Sequence, residues 1–330
     1  MYIDHFNLTD YPFRITPDTE YLYMSPAHSR AKAYMEYAIF NREGFVVITG
    51  EIGAGKTTLI KKLLSEIDES IIVAKIFQTQ LNEVEFLQAI LVEFGMNPFN
   101  AKKVELLNML NQFLINSHLD NKQVLLIIDD AQNLSKRVLQ EITMLSGVET
   151  QKEKILHVII VGQPELNQKL EANDMEQLLQ RISLRYHVRA LTLKESEEYV
   201  TYRLKIAGLT DKIFETDIFP EIYKYTGGIP RLINTLCDTA LTCVFADNNS
   251  IVNMDELQGA IKELQWKPYD ETHKSCDTIE YEGLYEEDPE SINDEPDLSM
   301  RDAYGAISSR ALVEVSRQLK RIADALEKQQ

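Results

Sequence analysis

At 330 residues, with 44% hydrophobic and 26% charged side chains, the chain has the length for two domains and ample material for a buried core. A net charge of −18 excludes a generally basic nucleic-acid surface, though charge unevenly spread along the chain leaves room for a local basic groove. No apolar run approaches the ~18 residues of a membrane span, and no basic stretch followed by an apolar one opens the chain, so a cytoplasmic protein is expected. Cys237, Cys243 and Cys276 lack paired metal-ligand spacing, and their odd number fits reduced thiols.

The opening segment is rich in aromatics, Tyr2, Phe6, Tyr11, Phe13, Tyr21, Tyr23, Tyr34, Tyr37 and Phe40, and Pro12, Pro17 and Pro26 keep much of it irregular. A helix is expected over residues 26–41. The rings either line a base pocket or cover an edge of a sheet. Residues 44–60 then read G-F-V-V-I-T-G-E-I-G-A-G-K-T-T-L-I. A β-type run over 45–48 breaks into a glycine-rich turn and then into helical composition, the strand, loop and helix order of a P-loop. Gly50, Gly55, Lys56 and Thr57 satisfy G-x-x-x-x-G-K-[ST]. The N–H groups of Gly53, Ala54, Gly55, Lys56 and Thr57 are expected to converge on phosphate oxygens at a helix N-terminus, and Thr58 is counted with this cradle. Lys56 would reach the β- and γ-phosphates of ATP, and the Thr57 hydroxyl would ligate Mg²⁺.

After the P-loop helix the pattern predicts a strand at 71–77 and helices at 83–94 and 103–117. A continuous apolar run over 124–128 ends in Asp129-Asp130. A buried parallel strand with acids at its C-terminal end is where an α/β sheet places its ligands, and the pattern reads as a Walker B strand. Asp129 would hold Mg²⁺ through its water shell, and Asp130 would orient or deprotonate the attacking water. The bland alternative is a solvated strand end.

A further buried strand, 155–161, ends in Gly162-Gln163-Pro164. Gln163 is the candidate for the sensor 1 contact to the γ-phosphate or attacking water, although turn chemistry alone would also explain it. A short fifth strand is expected at 186–188, after a helical stretch containing Arg181 and Arg185. From residue 191 the pattern is helical throughout, at 194–207, 217–226, 230–246 and 254–264. Gly227-Gly228-Ile229-Pro230 opens the third of these, with Arg231 in its first turn. An arginine there works against the helix dipole, which points to an outside partner such as a nucleotide phosphate.

Beyond Trp266 the composition turns acidic. Residues 267–302 hold thirteen acidic side chains against Lys267, Lys274 and Arg301, with too few large apolar residues to pack, and read as a disordered linker. Over residues 303–330 a helix is expected, with Leu312, Val315, Leu319, Ile322 and Leu326 at spacings of 3 and 4. Such a narrow seam asks for a partner helix, whether another copy, a different protein or this chain's own core. The expected organisation is a nucleotide-binding α/β domain at 1–190, a helical lid at 191–265, a linker at 266–302 and the C-terminal helix.

Together these residues resemble the AAA+ ATPases of the ExeA/GspA and MshM group, associated with general secretion and type IV pilus systems. The resemblance runs from residue 1 to about 265. It rests on M-Y-I-D-H-F-N-L-T-D-Y-P-F-R-I-T-P-D, Y-L-Y-M-S-P-A-H, T-G-E-I-G-A-G-K-T-T, I-I-D-D-A-Q-N-L, V-G-Q-P-E-L, Q-R-I-S-L-R-Y-H and G-G-I-P-R-L-I-N, in that order. It implies a parallel five-stranded P-loop NTPase sheet flanked by helices, an all-α lid, and ATP with Mg²⁺ as cofactors. It also implies homo-oligomers, ring or helical. By this resemblance Arg231 is the sensor 2 arginine, Arg181 or Arg185 the arginine finger offered to a neighbouring subunit, and Phe13, Pro17 and Tyr23 the residues nearest adenine.

Two features depart from the family. Asp130 stands where Glu is usual, one methylene shorter, and a shift near 1 Å in a water-positioning group can cost about a hundredfold in rate. The acidic stretch and final helix stand where longer members carry a membrane span and cell-wall-binding region. The TniB/TnsC ATPases that regulate transposition are similar over the same motifs, which makes DNA a second candidate partner. A slowly hydrolysing nucleotide-dependent scaffold is a third reading, on the strength of Asp130.

Overall fold

The computed structural model describes residues 2–40, 45–68, 70–145, 154–209 and 212–272. Five parallel strands, β1 (Phe45–Gly50), β2 (Ile71–Ile76), β3 (Gln123–Ile128), β4 (Leu156–Gly162) and β5 (Ile182–Val188), form one sheet in the order β2-β3-β4-β1-β5. The three inner strands are almost continuously apolar and almost wholly buried, because a parallel sheet covered on both faces has no solvent side to reward alternation. Edge strand β5 reads I-S-L-R-Y-H-V and alternates instead, with Ser183, Arg185 and His187 turned outward. The strand therefore begins at Ile182, ahead of the expected 186, and carries Arg185 on a strand and not on a helix.

Helices cover both faces. A short α1 (Tyr2–His5) opens the chain, and α2 (Pro26–Phe40) and α3 (Lys56–Glu66) pack one face of the sheet through Ala31, Met35, Ile39, Leu59 and Leu63. On the other face lie α4 (Glu83–Glu93), α5 (Lys103–Leu119), α6 (Lys136–Leu145), α7 (Glu165–Leu170) and α8 (Glu176–Leu179), whose Phe86, Leu87, Leu110 and Ile142 share a core with Val124, Leu126 and Ile160. The loop after β3 and the P-loop after β1 both leave from the C-terminal ends of strands, the end at which open α/β sheets build their sites.

After β5 the chain is helical: α9 (Leu193–Ile206), α10 (Phe219–Thr226), α11 (Pro230–Ala246), α12 (Met254–Glu263) and a final turn α13 (Tyr269–Thr272). Their core contains Val200, Ile222, Ile233, Leu236, Ala240 and Leu257, and also Tyr2, Phe6, Leu8, Phe13 and Tyr21 from the opening segment. Those rings thus fill the helical lid and do not cover the sheet; of the early aromatics Tyr34 does face the sheet layer, edge-on to Tyr186.

The opening segment is fastened to α9 as a strap. The Thr9 N–H and hydroxyl both donate to the Ala207 carbonyl, and the Tyr202 hydroxyl donates to the Glu20 carbonyl at 3.2 Å. Arg203, only 6% exposed, donates to the carbonyls of Pro12 and Arg14 and to the Tyr199 hydroxyl, and stacks over Tyr21 and Tyr199. A buried charge needs such satisfaction, and three oxygens with two ring faces supply it without a carboxylate. The acidic linker and C-terminal helix expected from the sequence lie outside the described residues.

Candidate active site

The P-loop leaves β1 at Gly50 and enters α3 at Lys56, and two glycines with positive φ shape it: Gly53 at 83° and Gly55 at 93°. A Cβ on Gly53 would stand 2.5 Å from Cβ of Arg231, so only glycine lets the lid approach here. The Arg231 N–H donates to the Gly53 carbonyl at 3.2 Å, joining the start of α11 to the loop. Within the loop, Lys56 Nζ donates to the carbonyls of Gly50 at 2.7 Å and Glu51 at 2.9 Å. Burial pulls its pKa down, against the opposing pull of Asp129, Asp130 and Glu51.

Walker B faces it. The Thr57 hydroxyl donates to Asp129 Oδ2 at 2.7 Å, and the Asp130 N–H donates to Oδ1 of the same carboxylate at 2.9 Å. Asp129 is 3% exposed, and burial pushes its pKa up although both hydrogen bonds favour the charged form. Among the described residues no three His, Cys, Asp or Glu side chains cluster as a metal site. The pair Thr57 and Asp129 nevertheless fits Mg²⁺, which is typically held by one or two protein oxygens with phosphate and water completing the octahedron.

Asp130 adopts left-handed backbone, φ 53°, a conformation that Asp tolerates better than most residues. Its carboxylate accepts the Gln132 amide at 3.2 Å, and Oε1 of Gln132 accepts the Gln163 N–H at 3.0 Å. One side-chain amide therefore bridges the ends of β3 and β4. Lys169 holds that bridge from behind, donating to the carbonyls of Gln132 and Leu134.

These groups border one cleft of ≈ 600 Å³, whose lining includes Gly53, Gly55, Lys56, Thr57, Thr58, Asp130, Gln163 and Arg231. Gly50, Ala54 and Asp129 lie directly behind that surface, buried. The strap supplies the opposite wall with Ile15, Pro17, Leu22 and Tyr23. Pro17 and Tyr23 border the cleft. Phe13 does not: it is 1% exposed and packs edge-on against Phe214 in the lid core, because a strap crossing α9 turns that ring away from the cleft. Arg181 and Arg185 also lie outside the cleft lining. Arg185 on β5 is 3.8 Å from Glu171, and the Arg181 N–H donates to the Leu178 carbonyl at the end of α8.

Gln132 beside the cleft, and His28, Arg203 and Asn234 in its lining, are residues to which the sequence alone assigns no role. Gln132 stands two positions after Asp130, and that offset was the available signal. His28 and Asn234 end the stretches Y-L-Y-M-S-P-A-H and G-G-I-P-R-L-I-N, whereas Arg203 lies in none; the long-range contacts that give the three their places span 26 to 220 residues.

Residues 40–170 match a protein-family model described as AAA domain, and they span the P-loop, Walker B and the end of β4. The chain carries an AAA ATPase domain. This AAA chain is 36% identical over 275 residues to general secretion pathway protein A of Aeromonas hydrophila, covering 81% of this chain and 50% of that protein. It therefore spans about half the length of that relative. Among solved structures it resembles the Cdc6p protein of Pyrobaculum aerophilum (TM-score 0.58, 17% identity, 74% of this chain and 70% of that one). It also resembles the ORC2 protein of Aeropyrum pernix in its ADPNP-ADP complexes (TM-score 0.56, 17% identity, 73% and 67%). At these identities the likeness is one of fold, a P-loop AAA sheet followed by helices.

Proposed function

We propose that this AAA ATPase works as an oligomer, ring or helical, that hydrolyses Mg·ATP to drive or regulate assembly of a partner complex, in the manner of a secretion ATPase. The observation that carries the reading is the convergence of Lys56, Thr57, Asp130, Gln163 and Arg231 on one cleft. Lys56 and the loop N–H groups bind the phosphates, and Thr57 with Asp129 would hold Mg²⁺. When bound, that ion neutralises charge on the β- and γ-phosphate oxygens. Asp130, oriented by Gln132, positions the attacking water and takes its proton. Gln163 and Arg231 sit where charge grows on the transferred phosphoryl group. Pro17 and Tyr23, with Ile15, flank the adenine.

The nucleotide-binding layer and the helical lid meet at the cleft, where the Arg231 N–H donates to the Gly53 carbonyl. The supply of ATP puts the working site in the cytoplasm; among the described residues no helix is long and apolar enough to cross a membrane. The apolar seam in residues 303–330, outside the described residues, supports recruitment of a protein partner. Similarity to general secretion pathway protein A supports a partner of the secretion type.

Arg181 or Arg185 acts on the site of a neighbouring copy. Arg185 stands on edge strand β5, where a second subunit can approach. An arginine supplied in trans is worth about 10³ to 10⁵ in rate. Phosphate release per chain should therefore rise with protein concentration, and Arg181→Ala or Arg185→Ala should suppress it at least about a hundredfold with ATP affinity retained. Constant turnover per chain across a dilution series, by a protein that stays monomeric, would contradict the oligomeric site.

A further inference from the structure

We propose that His28 is a positioning residue for nucleotide binding: it locks the Ala54–Gly55 peptide plane so that the Gly55 N–H faces the phosphates. The inference rests on the P-loop reading of the cleft and goes beyond it. His28 lies in the first turn of α2, 3% exposed, with both ring nitrogens engaged. Nδ1 is 2.7 Å from the Ser25 hydroxyl, and Nε2 is 2.8 Å from the Ala54 carbonyl.

The hydrogen-bond pattern fixes the tautomer. A carbonyl oxygen only accepts, so Nε2 carries the proton and donates it to Ala54. Ser25 Oγ caps α2 by accepting the His28 N–H at 3.3 Å, which leaves its own proton for Nδ1. The ring is neutral in this arrangement, and burial pulls its pKa down accordingly. Ser25, His28 and Ala54 thus form a directed chain from the helix cap to the phosphate loop.

A peptide unit is planar and trans, so its C=O and the following N–H point in opposite directions. With the Ala54 carbonyl drawn outward to His28, the Gly55 N–H points inward. Nothing local holds it there. Gly55 has φ 93° and no Cβ, and glycine populates both signs of φ readily, so this plane can flip at little steric cost. A flipped plane would present a carbonyl to the phosphates, with repulsion where a donor is needed. A Cβ on Gly55 would also stand 3.0 Å from His28 Nε2, so the contact and the glycine require each other.

The test compares His28→Gln with His28→Asn in the full chain. Gln places an amide N–H near the position of Nε2, whereas Asn places one near Nδ1 and leaves the Ala54 carbonyl unpaired. His28→Asn, with the buried Ala54 carbonyl unpaired, should melt a few degrees below His28→Gln without nucleotide while both remain folded at about 25 °C, so that binding is compared between folded proteins. Titration with Mg·ATP should give a Kd within about threefold of wild type for His28→Gln and about tenfold weaker for His28→Asn. Steady-state KM should follow Kd, with kcat nearly unchanged. Equal affinities for the two variants, whether both wild-type or both weak, would overturn the lock. Lys56→Ala serves as the separate control on the cleft itself: wild-type affinity there would refute the P-loop reading and not the role of His28 alone.

Discussion

In the proposed mechanism Asp130 positions the attacking water with one short side chain. Its left-handed backbone and its bond to Gln132 aim the carboxylate at the cleft, beside the buried pair Thr57 and Asp129. Asp130→Asn removes the proton acceptor while keeping shape and backbone tolerance. It should keep ATP affinity within about threefold and lower kcat by about a hundredfold or more. Asp130→Glu restores the reach usual in the family and should turn over at least as fast as wild type. Glu is less at ease with positive φ, so that variant should also melt slightly lower. Measured kcat for Asp130→Glu below that of Asp130→Asn would mean that the site is built around the shorter side chain.

Among the elements, α9 connects the strap, the lid and the strand that precedes them. It begins with a capping box in which Thr192 and Glu195 satisfy one another's N–H groups. Glu195 also takes a bidentate pair from Arg189 just after β5, at 2.7 and 2.8 Å. The Arg189 guanidinium beside it, opposed by burial and helped by the Thr192 N–H, holds the Glu195 carboxyl down to about 2, below its ordinary 4.5. The stabilisation is therefore complete above pH 4.5 and disappears as pH falls toward 2. With Arg189 half-exposed, the pair should contribute about 1 to 2 kcal/mol at neutral pH. Glu195→Gln should show that loss in urea unfolding at pH 6, and its deficit against wild type should shrink at pH 3. A deficit equal at both values would assign the effect to the cap alone.

Legibility in the sequence followed the range of the interactions. Walker A and the inner strands could be read because their signals are local: glycine spacing, and apolar runs that need no alternation. Strand β5 is longer than its apolar pattern implies because an edge strand with outward Ser183, Arg185 and His187 mixes polar residues into its run. The opening aromatics were ambiguous, since burial of a ring does not say against which layer; Phe13 belongs to the lid core. His28 and Gln132 lie within stretches that carry the family resemblance, but their roles are defined by tertiary contacts.

At the scale of the whole molecule, the cleft is made by three pieces distant in sequence. The sheet contributes the P-loop and Asp130 after β3, the lid contributes Arg231, and the strap contributes Pro17 and Tyr23. The strap is itself held by the lid through Arg203, so the wall formed by Pro17 and Tyr23 belongs to one packed layer with Arg231. That arrangement makes nucleotide binding depend on the phosphate cradle as the fixed point against which the other walls act. Calorimetric titration of Mg·ATP into the full chain and into Lys56→Ala tests this most directly. The account predicts saturable binding to the wild type and affinity at least about a hundredfold weaker in Lys56→Ala, a loss of about 2.7 kcal/mol or more. Unchanged affinity in that variant would contradict the assignment of this cleft as the ATP site.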